Sequence, residues 1–208
     1  INNKIFSICV GNIYVGGTGK TPLAIKLYQI LNKNHKGVVV GKKFYSSHND
    51  EINLLKKKVH TLIKNKRSLI IQEAIKKNKK IIIFDDGLQD KALKYNLNFV
   101  CFDTLNWIGN GNLIPAGPLR EKINSLKKFD AVFLKNISKP NNKKIRIIKK
   151  INPKIKIFNT RYKILNFNNF SLKDKYLIFS GIGNPDSFFK ILKMNNFLIK
   201  DQFIFPDH

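Results

Sequence analysis

A glycine-rich turn that ends in Gly19-Lys20-Thr21 and follows an apolar run directly constrains this chain more than any other feature. Residues 9 to 22 read Cys-Val-Gly-Asn-Ile-Tyr-Val-Gly-Gly-Thr-Gly-Lys-Thr-Pro. Strand, tight turn and helix are thereby required in immediate succession. Gly16, Gly17 and Gly19 let the backbone curl so that successive N–H groups converge on one anion, which a Cβ would obstruct. The following helix, expected from about Lys20 to Leu31, adds its positive N-terminal end. Pro22 suits a first helical turn, where its missing N–H costs nothing. Gly16, Gly17, Thr18, Gly19, Lys20 and Thr21 are therefore the candidate phosphate-binding residues. Lys20 can reach terminal phosphates as a mobile point charge, and the Thr21 hydroxyl can ligate a Mg²⁺ that bridges them. The usual spacing of such a loop would place its first glycine at position 14, where this chain has Tyr14, so the loop is a variant.

Further apolar runs bounded by turn signals occur at Lys4 to Val10, Gly37 to Gly41, Lys80 to Phe84, Asn98 to Phe102 and Ala131 to Leu134. Helical patterns separate several of them. Alternation of this kind predicts an α/β fold, a mostly parallel sheet with helices on both faces, and ligands beyond the carboxyl ends of its strands. A second block begins near Asn159, with a strand at Tyr176 to Ser180, a turn at Gly181 to Pro185, a helix to about Met194 and a strand-like Phe197 to Phe205. The Lys- and Asn-rich segment from Asn136 to Ile164, with Pro140 and Pro153, holds the connection. Two domains are expected, 1–150 for nucleotide binding and 151–208 for the hinge and an incomplete second α/β unit.

The run Ile81-Ile82-Ile83-Phe84-Asp85-Asp86-Gly87 is a buried strand that ends in two carboxylates. In isolation it is a common strand-ending turn. Following a phosphate loop, it reads as the element that orients Mg²⁺, directly or through its water shell. Adjacent positions on an extended chain point to opposite sides, so Asp85 and Asp86 cannot do identical work. Guanine specificity would call for an Asn-Lys-x-Asp signature. Leu134-Lys135-Asn136-Ile137 lacks the aspartate, which leaves ATP as the expected nucleotide.

Composition excludes several classes. The chain has 208 residues, of which 43% are hydrophobic, enough for a real core. No apolar run approaches the roughly 18 residues of a membrane span, and no signal peptide is legible, so a cytosolic working site is expected. Cys9 and Cys101 sit in apolar runs and read as buried thiols rather than a disulfide. His35, His48, His60 and His208 lack metal-ligand spacing. The net charge of +26 comes from lysines spread through nearly every segment, with arginine confined to Arg67, Arg120, Arg146 and Arg161. That pattern is a general compositional bias. It favours an anionic partner such as an acidic membrane surface over specific nucleic-acid recognition. Either partner would show strong salt dependence.

Three more segments narrow the reading: Asp85-Asp86-Gly87-Leu88-Gln89; Gly109-Asn110-Gly111-Asn112-Leu113-Ile114-Pro115-Ala116-Gly117-Pro118-Leu119-Arg120-Glu121; and Ser180-Gly181-Ile182-Gly183-Asn184-Pro185. With the loop from Gly11 to Pro22, in this order across nearly the whole chain, they resemble the tetraacyldisaccharide 4'-kinase family of the lipid A pathway. The resemblance implies a P-loop three-layer α/β/α domain joined by a hinge to a smaller second α/β domain. It also implies transfer of the ATP γ-phosphoryl group to the 4'-hydroxyl of an acylated disaccharide 1-phosphate, by a monomer at the cytoplasmic face of the bacterial inner membrane.

Carried over residue by residue, Lys20 and Thr21 match the family's phosphate and magnesium residues, and Asp85 and Asp86 its strand-end carboxylates. Asn49-Asp50-Glu51 aligns with a Gly-Asp-Glu signature whose aspartate is the base, so the resemblance makes Asp50 the base; by itself the pair reads as a helix start. The family's partner histidine falls on His208, in Pro206-Asp207-His208, although a terminal histidine is commonly frayed. Arg120 and Glu121 match residues near the reacting groups, where an arginine can grip a substrate phosphate with two prongs. Asn12 is a further candidate for substrate contact.

Departures from the family pattern are specific. Asp90 replaces a histidine, which would place an anion near an anionic substrate. Lys42-Lys43-Phe44 stands where the family has Arg-Gly-Tyr, and lysine cannot reproduce arginine's planar fork. The stretch from there to Asp50 is short. The chain starts at Ile1 without the family's N-terminal apolar helix and stops early, as expected of a truncated member. An ATPase or GTPase of the metallochaperone or partitioning type shares the variant loop, but gives no reason for Pro115 to Glu121. A basic nucleic-acid-binding protein with a structural nucleotide is a third reading, disfavoured by the poor clustering of aromatics and arginines.

Overall fold

Apolar runs without polar alternation belong in a sheet covered on both faces. The computed structural model, which describes residues 5–45, 49–182 and 184–205, has such a sheet. Strand β1 (Phe6–Gly11) leads through the glycine loop into helix α1 (Lys20–Asn34). There follow β2 (Val38–Lys43), α2 (Asn49–Lys58), β3 (Thr61–Lys64), α3 (Arg67–Lys76) and β4 (Ile81–Asp85), then β5 (Leu97–Asp103), β6 (Ala131–Lys135), α4 (Asn142–Ile151) and β7 (Lys156–Thr160). These seven strands form one parallel sheet in the order β3-β2-β4-β1-β5-β6-β7.

Side chains alternate across this sheet as a period of two demands. Ile8, Val10, Val38, Val40 and Ile83 point to the face covered by Ala24 of α1 and Leu55 of α2. Cys9, Val39, Ile82 and Phe84 point the other way, onto Ile70 and Ala74 of α3. On the far half, Val100, Phe102, Val132 and Leu134 pack with Ile148 of α4 and with Ile13, Tyr14 and Leu119 from the connecting loops. The result is the expected three-layer α/β/α arrangement. Cys9 and Cys101 are free, buried thiols in different clusters.

The sheet does not stop at residue 150. β7 pairs with β6 from Ala131–Lys156 to Lys135–Thr160, so the chain leaves the first sheet after Thr160, within the polar connecting segment. Beyond it, β8 (Lys175–Ser180) and β9 (Leu198–Ile204) form a two-stranded parallel sheet joined by α5 (Pro185–Met194). Ile178, Phe189, Leu192 and Phe197 make its small core. Helix α5 starts where the turn signal put it: the Asn184 side chain accepts from the Ser187 N–H, and Pro185 occupies the first helical position.

Candidate active site

The carboxyl ends of β1, β2, β4, β5 and β6 bring Gly11, Lys42, Asp85, Asp103 and Lys135 to one edge of the sheet. The glycine loop lies over this edge. Gly16 and Gly19 adopt φ values of 117° and 83°, the left-handed region that only glycine enters without cost. Gly19 is the N-cap of α1 and offers no side-chain hydrogen bond, so the opening N–H groups of the helix are free of a side-chain cap, as an anion site requires. Tyr14, the departure from the usual spacing, turns inward. It is buried, packs on Phe102 with ring centroids 5.7 Å apart, and its hydroxyl accepts the Asp103 N–H at 2.6 Å. Burial raises its pKa above the ordinary tyrosine value.

Asp85 and Asp86 have different surroundings, but not through the alternation expected of an extended chain: β4 ends at Asp85, and Asp86 turns out of the strand. Asp85 is buried; its Oδ2 accepts the Thr21 hydroxyl at 2.9 Å and the Lys42 ammonium at 2.8 Å, while its Oδ1 is buried without a hydrogen-bond partner. Asp86 stands in the left-handed region at φ 62°, with its carboxylate 3.9 Å from Lys20 Nζ and 3.7 Å from Arg120 Nη1. A helix-start threonine bonded to a strand-end aspartate that keeps one carboxylate oxygen unpartnered, beside helix amides without a side-chain cap, fits a magnesium-bound nucleotide phosphate.

Lys42 escaped the sequence reading as a site residue. Its ammonium, almost wholly buried, lies between Glu51 Oε2 at 2.5 Å and Asp85 Oδ2 at 2.8 Å. Burial alone would lower its pKa, but the two carboxylates outweigh that and hold it above the ordinary lysine value. The lysine found in place of the family's arginine is therefore a buried counter-ion to the strand-end carboxylate.

The segment ending in Pro118-Leu119-Arg120-Glu121 earns its place through backbone pairing. Val15 N–H donates to the Pro118 carbonyl at 2.9 Å, and the N–H groups of Arg120 and Glu121 donate to the Ile13 carbonyl at 2.7 and 3.2 Å. This lays Arg120 against the phosphate loop. Gln89, from the Asp-Asp-Gly-Leu-Gln run, ties the parts together by donating to the Asn12 carbonyl and to Glu121 Oε1.

A cavity of about 970 Å³ opens beside these groups. It is lined by Gly16 through Thr21, by Asp50 and Glu51 at the start of α2, and by Asp86 and Arg120. Lys135, Tyr162, Asn184 and apolar residues of the second unit complete it. Asp50 thus shares one cavity with Lys20 and Arg120. Asn12 is fully buried behind the loop, where its amide reaches the Gly16 carbonyl at 3.4 Å, and Asn12, Asp85 and Glu121 do not line the cavity. His208 lies outside the described residues.

Asp90, expected to place an anion near the substrate, does not line the cavity. It pairs with Arg67 at 2.9 Å, a residue the sequence reading counted only as one of few arginines. Asp103 was also missed. Its buried Oδ2 accepts Lys135 Nζ at 2.6 Å, Asn184 Nδ2 at 2.7 Å and Ser187 Oγ at 3.3 Å, joining the main sheet to α5.

Comparison with known proteins extends this picture. The tetraacyldisaccharide 4'-kinase of Pelagibacter ubique is 48% identical over 207 residues, covering 100% of this chain and 66% of the relative. The protein of that name from Rickettsia canadensis is 36% identical, covering 97% of this chain and 65% of the relative. This chain therefore spans just under two thirds of the length of the curated relatives it matches. A crystal structure of LpxK from Aquifex aeolicus in complex with ATP shares the fold, with a TM-score of 0.70 at 24% identity over 98% of this chain and 72% of the other. The GDP complex of the signal recognition particle 54 kDa protein from Aeropyrum pernix shares it more loosely, with a TM-score of 0.54 at 11% identity over 79% of this chain and 43% of the other. The family model described as tetraacyldisaccharide-1-P 4'-kinase matches residues 2–208, nearly the whole chain, and the chain belongs to that family.

Proposed function

We propose that this chain carries the nucleotide and phosphoryl-transfer centre of an ATP-dependent kinase whose acceptor is the 4'-hydroxyl of a tetraacyldisaccharide 1-phosphate. The observation that supports it most is the convergence of Lys20, Asp50, Asp86 and Arg120 on one cavity beside the uncapped start of α1. Phosphoryl transfer needs positioning, charge stabilisation and a proton acceptor. The glycine loop would hold the β- and γ-phosphates through its N–H groups. Lys20 and Arg120 would balance the charge that spreads over the transferring group. Thr21 and Asp85, with Asp86 beside them, would hold the metal. A magnesium ion held there would neutralise charge on the nucleotide's phosphates. Asp50 would accept the hydroxyl proton as the acceptor oxygen bonds to the γ-phosphorus and ADP leaves. The acylated acceptor and the cytoplasmic face of the inner membrane belong to the same proposal. They are supported by the net charge of +26 and by exposed apolar side chains of the second unit such as Leu165 and Phe179.

The test is transfer of labelled γ-phosphate from ATP to a tetraacyl disaccharide 1-phosphate in detergent, with and without Mg²⁺. Magnesium-dependent product is expected. Lys20→Ala should abolish it, and Asp50→Ala should lower the rate by about 10²–10⁴-fold with little change in ATP affinity. ATP hydrolysis without lipid product would favour a nucleotide hydrolase instead.

A further inference from the structure

Arg67 occupies an unfavourable position for a cation. It is the first residue of α3, at the positive end of the helix dipole, and only 8% of it is exposed. A buried guanidinium persists there only if specific partners hold it. Two do: Nη1 donates to Asp90 Oδ2 at 2.9 Å, and Nη2 donates to the backbone carbonyl of Asp86. The Asp90 carboxylate is itself fixed, since its Oδ1 accepts the Ala92 N–H at 3.1 Å.

The carbonyl that Arg67 holds belongs to a strained corner. Asp86 is one of four non-glycine described residues with positive φ, and such a conformation lasts only where the surroundings impose it. Its N–H donates to the Val10 carbonyl at 2.8 Å, which ties the amide side of the residue to β1. Arg67 ties the carbonyl side. Tyr95 closes the next residue by donating to the Gly87 carbonyl at 3.2 Å, and a Cβ at Gly87 would lie 2.7 Å from Tyr95 Oη and 3.1 Å from Arg67 Nε. Held in this way, the Asp86 side chain emerges between Lys20 and Arg120.

We infer that Arg67 and Asp90 are a positioning pair that fixes the backbone corner at Asp86 and so aims its carboxylate into the nucleotide site. Neither lines the cavity. Asp90 keeps the buried guanidinium neutralised and oriented, and the guanidinium holds the carbonyl. An anion where the family has a histidine thus serves Arg67 and leaves the acceptor's charge untouched. The inference rests on the reading of the site as a magnesium–nucleotide centre.

The experiment is calorimetric titration of ATP into the unsubstituted chain, Asp90→Asn and Arg67→Lys, each with magnesium chloride and with EDTA. Partners that orient metal-binding groups are worth about 10–100-fold in affinity. Both variants should keep the metal-free affinity, which the glycine loop and Lys20 set, and lose at least about tenfold of the gain that magnesium gives the unsubstituted chain. Glu73→Gln, which removes ion pairs of the same helix to Lys64 and Lys77 without reaching Asp86, should leave the magnesium gain unchanged. If Asp90→Asn does not fold, Asp90→Glu carries the same comparison. A magnesium gain equal in all variants overturns the inference and leaves the proposed function standing. No ATP binding by the folded, unsubstituted chain overturns both.

Discussion

Lys42 and Asp85 are register partners on adjacent strands, and this places an ammonium against a buried carboxylate with Glu51 closing the other side. Removing the cation strands the anion. Lys42→Met should destabilise the fold by about 3–5 kcal/mol in chemical denaturation, and adding Asp85→Asn should recover much of that loss. Because the folded pKa of Lys42 is raised, its contribution is full below the ordinary value of 10.5 and is lost only as pH rises beyond it. The alkaline limb of a stability–pH curve should therefore flatten in Lys42→Met. The glycine loop and the paired aspartates were legible because their chemistry is local, set by residues adjacent in sequence. The Lys42–Asp85 and Arg67–Asp90 pairs were not, because strand order and helix placement create them. A cation in the first turn of α3, where the helix dipole disfavours it, together with the unusual acid at position 90, was the available signal.

At the scale of elements, strands read as uninterrupted apolar runs came out within a few residues of the expected bounds. β3 and β7 did not. Thr61-Leu62-Ile63-Lys64 and Lys156-Ile157-Phe158-Asn159-Thr160 lie at the sheet's two edges, where half-exposed strands carry polar and charged residues and lose the apolar signature. β3 is tied to α3 by Glu73, which accepts from Lys64 at 2.9 Å and Lys77 at 2.6 Å. Those hydrogen bonds lower its pKa to about 2 from 4.5. A depressed carboxylate adds stability that is complete above the unfolded value and disappears as pH falls through the folded one. Thermal melts of Glu73→Gln should therefore show a shallower decline than the unsubstituted chain between pH 4.5 and about 2, and added salt should shrink the difference.

Across the whole molecule, the two sheets meet through a small polar group. Asp103 gathers Lys135, Asn184 and Ser187, with Lys135 also 5.0 Å above the Tyr162 ring. Asn184→Ala should remove a helix cap worth about 1 kcal/mol and one of Asp103's partners. Limited proteolysis should then cut residues 161–174 faster, while the seven-stranded sheet keeps its melting temperature. The second unit itself was readable from its strand, turn and helix signals. Its attachment was not, since Asp103 ends an apolar strand and reads as an ordinary strand terminus. Among the described residues, no helix is long and apolar enough to cross a membrane.

Asn184 spends its amide in two directions, with Oδ1 on the Ser187 N–H of its own helix and Nδ2 on Asp103 across the units. A rotation of that side chain that releases Asp103 would also take the cap from the first turn of α5. Release of Asp103 by that rotation is thereby linked to fraying of the helix start, and deuterium uptake at the Ser187 amide becomes a gauge of how often the Asn184 amide turns.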